Sequence, residues 1–325
     1  MKKLLQLSVV ASLAAAAMIV PALAQDYPNK PIKVIVPFSP GAGTDATGRV
    51  VAEGLSKRLN QAVVVENKPG AGSAIGVDAV LKSPADGYTL LYGTADGITV
   101  LPAVRKDIPY RVPEDVHFLA RTFTMPFTIA VSNQLPVKDW AEFVAYAKAN
   151  PGKVRYATSG VGTGGHLATA LLEKTAGITM THIPYKGVGQ LIPDLLSGNV
   201  DLGLVTPPTI NPHLTAGKVK VLAQTGNKKH LLLPNTPTFP ELGLKAAVVE
   251  VWYGVMAPVG LPANVLDKLS KELPLVLKDP EVLEKLAKMG WIPDSIVGDE
   301  FKKFATDELG VWKDVAKASN IVVTE

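Results

Sequence analysis

Cysteine is absent from the 325-residue chain. That excludes disulfides, thiolate metal sites and a cysteine nucleophile. Aromatic residues are few, at 6%, and no run of five basic residues occurs. The stacking platforms and basic stripes of a nucleic-acid binder are therefore missing. The five histidines show no H-E-x-x-H spacing, so no metal is expected. Beyond residue 24, no stretch reaches the roughly 18 apolar residues that a membrane-spanning helix requires.

What is present begins with an export signal. Lys2 and Lys3 supply a positive start, Leu4–Val20 is an apolar run, and Ala22-Leu23-Ala24 is a small-residue cleavage pattern. The run is short for an anchor, and no cysteine follows it to take a lipid. Cleavage after Ala24 is expected to release a soluble periplasmic chain of 301 residues, a length typical of two domains. That chain carries 31 basic and 29 acidic residues, a balance that points to no polyanionic partner.

One device occurs twice: a strand, a glycine-rich turn, then a helix. The first copy is Ile32–Pro37, the turn Phe38-Ser39-Pro40-Gly41-Ala42-Gly43-Thr44-Asp45, and a predicted helix from about Ala46 to Leu59. The second is Lys153–Thr158, the turn Ser159-Gly160-Val161-Gly162-Thr163-Gly164-Gly165-His166, and a predicted helix from about Leu167 to Ala176. Gly41 and Gly43 map onto Gly162 and Gly164 at a constant offset of 121. Each copy aims free backbone N–H groups and a positive helix end out of a strand end, the physics of an anion site. Two copies in separate domains suggest two jaws facing each other across a cleft.

Elsewhere strands and helices alternate. Ala62–Glu66 and Tyr88–Gly93 read as strands flanking a helix near Ala74–Lys82, a β-α-β-α-β order that predicts a parallel sheet. Residues 97 to 122 read as irregular. Phe127–Ser132 is expected to cross into a second domain and Trp252–Ala257 to return, giving domain one as 25–126 with 252–325 and domain two as 127–251. Two crossings make a hinge.

Other motifs carry less. The sequence Pro37-x-Ser39-x-Gly41 imitates a nucleophile elbow, but proline stands where the strained elbow needs glycine. An exported hydrolase using Ser39 and His166 is the enzymatic alternative, and no general base is positioned for it. Gly160–Gly165 matches G-x-G-x-x-G, yet the next strand ends Ile183-Pro184-Tyr185-Lys186 without the acid a dinucleotide site requires. No cofactor is expected. Ser159 and Thr163 add hydroxyls to the second turn, His166 opens its helix, and Tyr185 and Lys186 follow the neighbouring strand. Thr44 or Asp45 is the expected N-cap of the first helix. Asp96 follows the third strand at the rim where open α/β sheets bind ligands. Asp96 or Glu250, if facing the cleft, would recognise a cationic group.

Five segments in order resemble one family: Pro37–Asp45, Val64–Gly72, Ala85–Leu91, His182–Gly187 and Asp194–Asp201. They are similar to the Bug family, the extracytoplasmic receptors of tripartite tricarboxylate transporters. The resemblance spans nearly the whole chain after the export signal. It implies an α/β periplasmic-binding-protein type II fold, two α/β domains joined by two crossing strands. It also implies a small carboxylate held by the backbone amides of Phe38–Asp45 and Ser159–Thr163, with His166 and Thr94 to Asp96 nearby. The implied partners are that ligand and the membrane subunits of a transporter; the chain is expected to be a monomer and not an enzyme. A receptor serving another transporter or a sensor kinase would show the same features. Ala42 departs from the glycine commoner in the family, Val205 and Thr206 replace a Phe-Asp-like pair, and Asp96 and Glu250 are unusual at their positions.

Overall fold

A computed structural model describes residues 27–41, 43–185, 187–291, 293–318 and 321. The expected export signal, Ala42 and Lys186 lie outside the described residues. Among the described residues no helix is long and apolar enough to cross a membrane.

The chain opens with β1 (Ile32–Val36), α1 (Gly43–Leu59), β2 (Val63–Asn67), α2 (Ala74–Leu81) and β3 (Thr89–Thr94). β1 and β3 are apolar almost throughout because helices cover both faces of a parallel sheet, and Val51, Ala52, Leu55 and Leu59 turn one face of α1 onto it. A π-helical turn, Asp96–Val100, runs into the short α3 (Leu101–Val104). Then β4 (Val116–Pro126) hands the chain directly to β5 (Thr128–Ser132).

The second half-structure is α4 (Trp140–Ala149), β6 (Arg155–Thr158), α5 (Gly164–Ala176), β7 (Thr181–Pro184), α6 (Val188–Ser197), β8 (Leu202–Val205), α7 (Pro207–Thr215) and β9 (Val219–Gln224). The chain returns through β10 (Glu250–Pro258) and ends in α8 (Ala263–Val276), α9 (Pro280–Lys288), β11 (Pro293–Val297) and α10 (Gly298–Ala318).

Two sheets result, with orders β11-β4-β10-β3-β1-β2 and β7-β6-β8-β5-β9. Only β2-β1-β3 and β7-β6-β8 are parallel. The β-α-β-α-β order read from the sequence does give a parallel β2-β1-β3 unit; β10 then arrives from the other lobe and pairs antiparallel with both β3 and β4. The two sheets share a plan, three parallel strands plus an antiparallel crossing strand, with β1 equivalent to β6, β2 to β7, β3 to β8 and β10 to β5.

β4 was hidden in the sequence by Arg121, Thr122 and Thr124. Each finds a partner inside the fold: Arg121 and Thr124 bond Asp294, and the Thr122 hydroxyl donates to the Tyr253 carbonyl. α7 was hidden by Pro207 and Pro208, which occupy the first helical turn, where no donor is needed.

The lobes are joined at Thr225. Its hydroxyl accepts from Phe127 N (2.9 Å) and donates to Val249 O (2.5 Å), while its own N–H donates to Phe127 O (3.0 Å). One core cluster is continuous across both lobes, linking Val77, Leu91 and Ile98 to Val131, Leu167 and Leu172. Phe301, Leu309 and Trp312 of α10 belong to it, and α10 packs on both β4 and α5.

Candidate functional site

In a sheet ordered β2-β1-β3 the connections leave β1 in opposite directions, and the crevice beyond the strand ends at that point is where open α/β sheets take ligands. In lobe one this crevice lies between the turn after β1 and the residues after β3, Ala95 and Asp96. The corresponding lobe-two crevice lies between Ser159–Thr163 and Thr206. Thr206, noted in the sequence only as a departure from the family pattern, stands after β8 as Ala95 does after β3.

The 121-residue repeat survives in conformation. Gly41 and Gly162 are both left-handed, with φ +83° and +74°, a region L side chains occupy at a cost of about 1–2 kcal/mol. Gly43 and Gly164 are the first residues of α1 and α5. Both helices thus begin three residues earlier than expected, because the glycines themselves take helical geometry. Thr44 and Asp45 consequently lie in the first turn of α1, not at its N-cap. The N–H groups of Thr44 and Asp45, and those of Gly165 and His166 at the same offset, have no acceptor among the described residues. These are the orphan donors of a helix start.

Asp45 is buried and braces its own turn. Its carboxylate accepts from Gly41 N (2.9 Å), Arg49 Nε (3.1 Å) and Asn67 Nδ2 (2.8 Å). Burial alone would raise its pKa; the bonds from Arg49, Gly41 and Asn67 outweigh that and hold it below the usual value. Asn67 Nδ2 also donates to Phe38 O. Ser39 is exposed and Phe38 half-buried. Gly43 lies against an aromatic floor: a Cβ there would stand 3.1 Å from the Trp291 ring and 3.7 Å from Tyr253 Oη.

The second turn is braced by hydroxyls and a ring stack. Gly160 N donates to Thr158 Oγ1 (3.3 Å), Thr163 Oγ1 donates to Gly160 O (2.9 Å), and Gly162 N donates to His166 Nδ1 (3.1 Å). His166 stacks on His182 at 4.1 Å and His182 on Tyr156 at 4.8 Å. Burial lowers both histidines; the His166 charge adds to the effect on His182, which falls to about 4. Both rings are therefore neutral near pH 7, and the bond from Gly162 places the His166 proton on Nε2. Tyr185 donates its hydroxyl to Asp194 (2.5 Å).

The two lobes touch at Asp96. Its Oδ1 accepts from Gly164 N at 2.7 Å, so a lobe-one carboxylate caps the first residue of a lobe-two helix. Asp96 is partly exposed, and burial raises its pKa, with the Gly164 N–H opposing. Tyr253 connects Asp96 to the first turn. Burial pushes the phenol up to about 12, a hydrogen bond with Thr44 opposes this, and the charge of Asp96 adds to it. Beside them the Thr94 and Ser73 hydroxyls are buried and make no hydrogen bond among the described residues. Glu250, by contrast, accepts from Asn227 N at 3.4 Å near the return crossing. No hydrogen bond joins Ser39 to His166 among the described residues, and His166 Nδ1 is already engaged by Gly162.

Residues 47–321 match the pattern of the tripartite tricarboxylate transporter family receptor. The chain belongs to this family. It is 34% identical over 310 residues to protein BugT of Bordetella pertussis, covering 94% of each chain. Among solved structures, the periplasmic binding protein BugD superposes with a TM-score of 0.82 at 32% identity, over 91% of this chain and 99% of that one. A protein from R. palustris solved with adipate gives 0.85 at 30% identity, with the same coverage. MatC from Rhodopseudomonas palustris with bound malate gives 0.79 at 27%, over 89% and 99%. These family members are periplasmic solute-binding receptors and not enzymes, and the two-lobed α/β fold of this chain is theirs.

Proposed function

We propose that this receptor captures a small carboxylate between the turns Phe38–Gly43 and Ser159–Gly164 and delivers it, in the periplasm, to the membrane subunits of a tripartite-type transporter. The observation that carries this reading is the pair of glycine turns, equivalent in conformation and position, that open a helix in each lobe, with Asp96 of lobe one bonded to Gly164 of the second. Each helix start offers N–H donors without acceptors, and a carboxylate bridging them would form charge-assisted bonds with both. The relatives solved with malate and adipate support a carboxylate as the ligand class.

In this reading the contacts come from Phe38, Ser39, Gly41, Ala42, Gly43, Thr94, Ser159, Gly160, Gly162, Thr163 and His166. Asp45 and Tyr185 support the loops, since their polar atoms are engaged within their own lobes. The two lobes are taken as 25–126 with 252–325, and 127–251.

Thermal unfolding against acids, sugars and cations tests the reading. A ligand at about 100 times its dissociation constant adds roughly 2.7 kcal/mol. Stabilisation by acids is expected, and stabilisation by sugars alone would refute the reading.

A further inference from the structure

Asp96 brings a carboxyl group to the place where the lobes meet, and no cation among the described residues pairs with it. Its one hydrogen bond is from the Gly164 N–H. Asp96 is absent from the ion pairs among the described residues, and the groups its charge acts on, Glu308 and Tyr253, are themselves acids. The second oxygen, Oδ2, has no partner among the described residues and is not sealed from solvent. A Cβ built on Gly164 would stand 3.0 Å from Asp96 Oδ1 and 3.8 Å from the Phe127 ring, so an aromatic ring lies beside the carboxylate. A carboxylate with a free oxygen, next to an aromatic ring, is the setting that receives an ammonium group.

The same geometry disfavours a second anion. The Asp96 carboxylate already takes the Gly164 N–H at the start of α5, beside the place where a dicarboxylate would seat its second charge. Two carboxylates in one narrow site repel. The first turn has no such competitor: the carboxylate nearest it, Asp45, is bound to Arg49 and Asn67.

Resting on the carboxylate-receptor reading above, we infer that Asp96 selects the ligand's far end, and that the natural ligand is a monocarboxylate bearing an ammonium group, an amino acid in the broad sense. The ligand's carboxylate lies on the donors of the first turn and its ammonium on Asp96 Oδ2, while the second turn closes on the ligand from lobe two. The Thr94 and Ser73 hydroxyls are the remaining buried polar atoms of lobe one near this path.

Calorimetric titration of the full-length mature protein separates the possibilities. The probes are L-alanine, L-glutamine and γ-aminobutyrate as ammonium-bearing acids, butyrate as a monocarboxylate without the ammonium group, and glutarate and succinate as dicarboxylates. Wild-type protein should bind at least one ammonium-bearing acid about 10- to 100-fold more tightly than butyrate, the range expected of one hydrogen bond to a charged group. The dicarboxylates should bind no more tightly than butyrate. Asp96→Asn keeps an oxygen for the Gly164 N–H but loses the charge. It should lose affinity for the ammonium-bearing acids by a larger factor than for butyrate, and admit glutarate. Tighter binding of glutarate or succinate by the wild type would overturn the assignment while leaving the carboxylate receptor intact. An equal loss for every acid in Asp96→Asn would make Asp96 a latch between the lobes and not a selector. Binding of no acid at all would remove the broader reading.

Discussion

At the residue scale, two sets of buried groups pull stability in opposite directions with pH. Glu308 is buried and accepts from Thr99 Oγ1 and Trp252 Nε1, each at 2.6 Å. Burial is the largest influence and lifts its carboxyl from 4.5 to about 7. Between those values the native state holds a proton that the unfolded chain has released, so stability falls as pH rises and levels off above 7. His182 behaves in reverse. Its native value of about 4 lies below the unfolded 6.5, so stability falls as pH drops through that window. The two trends offset each other in the wild type. Glu308→Gln should remove one of them and leave a profile that rises from pH 4 to 6.5, with a gain at neutral pH on the order of 3 kcal/mol. Urea unfolding across that range checks this; an unchanged profile would mean that Glu308 is already ionised. Asp45 follows a third pattern: its lowered pKa contributes stability above the unfolded value that is lost as pH falls through the folded one. Asp45→Ala strips acceptors from Gly41, Arg49 and Asn67 at once. It should lower stability by about 2 kcal/mol and loosen the first turn, measurable by denaturant unfolding and by hydrogen exchange at Gly41.

At the element scale, function depends on two turns whose conformations only glycine adopts readily. Gly162 has φ +74° and anchors His166 through its N–H. Gly162→Val should weaken acid binding at least 10-fold while the lobes remain folded, a split that calorimetry and circular dichroism separate; unchanged affinity would remove the second turn from the site. These turns were legible in the sequence because glycine spacing and a constant 121-residue offset fix local geometry. The edges of the helices were not, since Gly43 and Gly164 adopt helical angles that propensity disfavours. β4 was illegible for another reason. Arg121, Thr122 and Thr124 look like surface residues until Asp294, some 170 positions later, arrives to pair with two of them. Sequence reasoning also placed Asp96 at the rim of the crevice, yet its bond to Gly164 depends on how the two lobes meet, which no local pattern encodes.

At the scale of the whole molecule, the structure is two copies of one plan held together by Thr225 and a shared apolar core. Thr225→Val keeps the volume but breaks the hydroxyl's bonds to Phe127 N and Val249 O. It should alter ligand affinity without touching either turn, and an affinity equal to that of the wild type would show that the crossing strands hold their geometry without it. The central claim is that one ligand engages both lobes at once. Amide NMR of the isotopically labelled mature protein, titrated with the tightest-binding acid, tests this most directly. The expected result is that the N–H signals of Gly41, Gly43 and Thr44 and those of Gly162, Gly164 and Gly165 shift together, with one common dissociation constant. Shifts confined to one turn, or to neither, would contradict it.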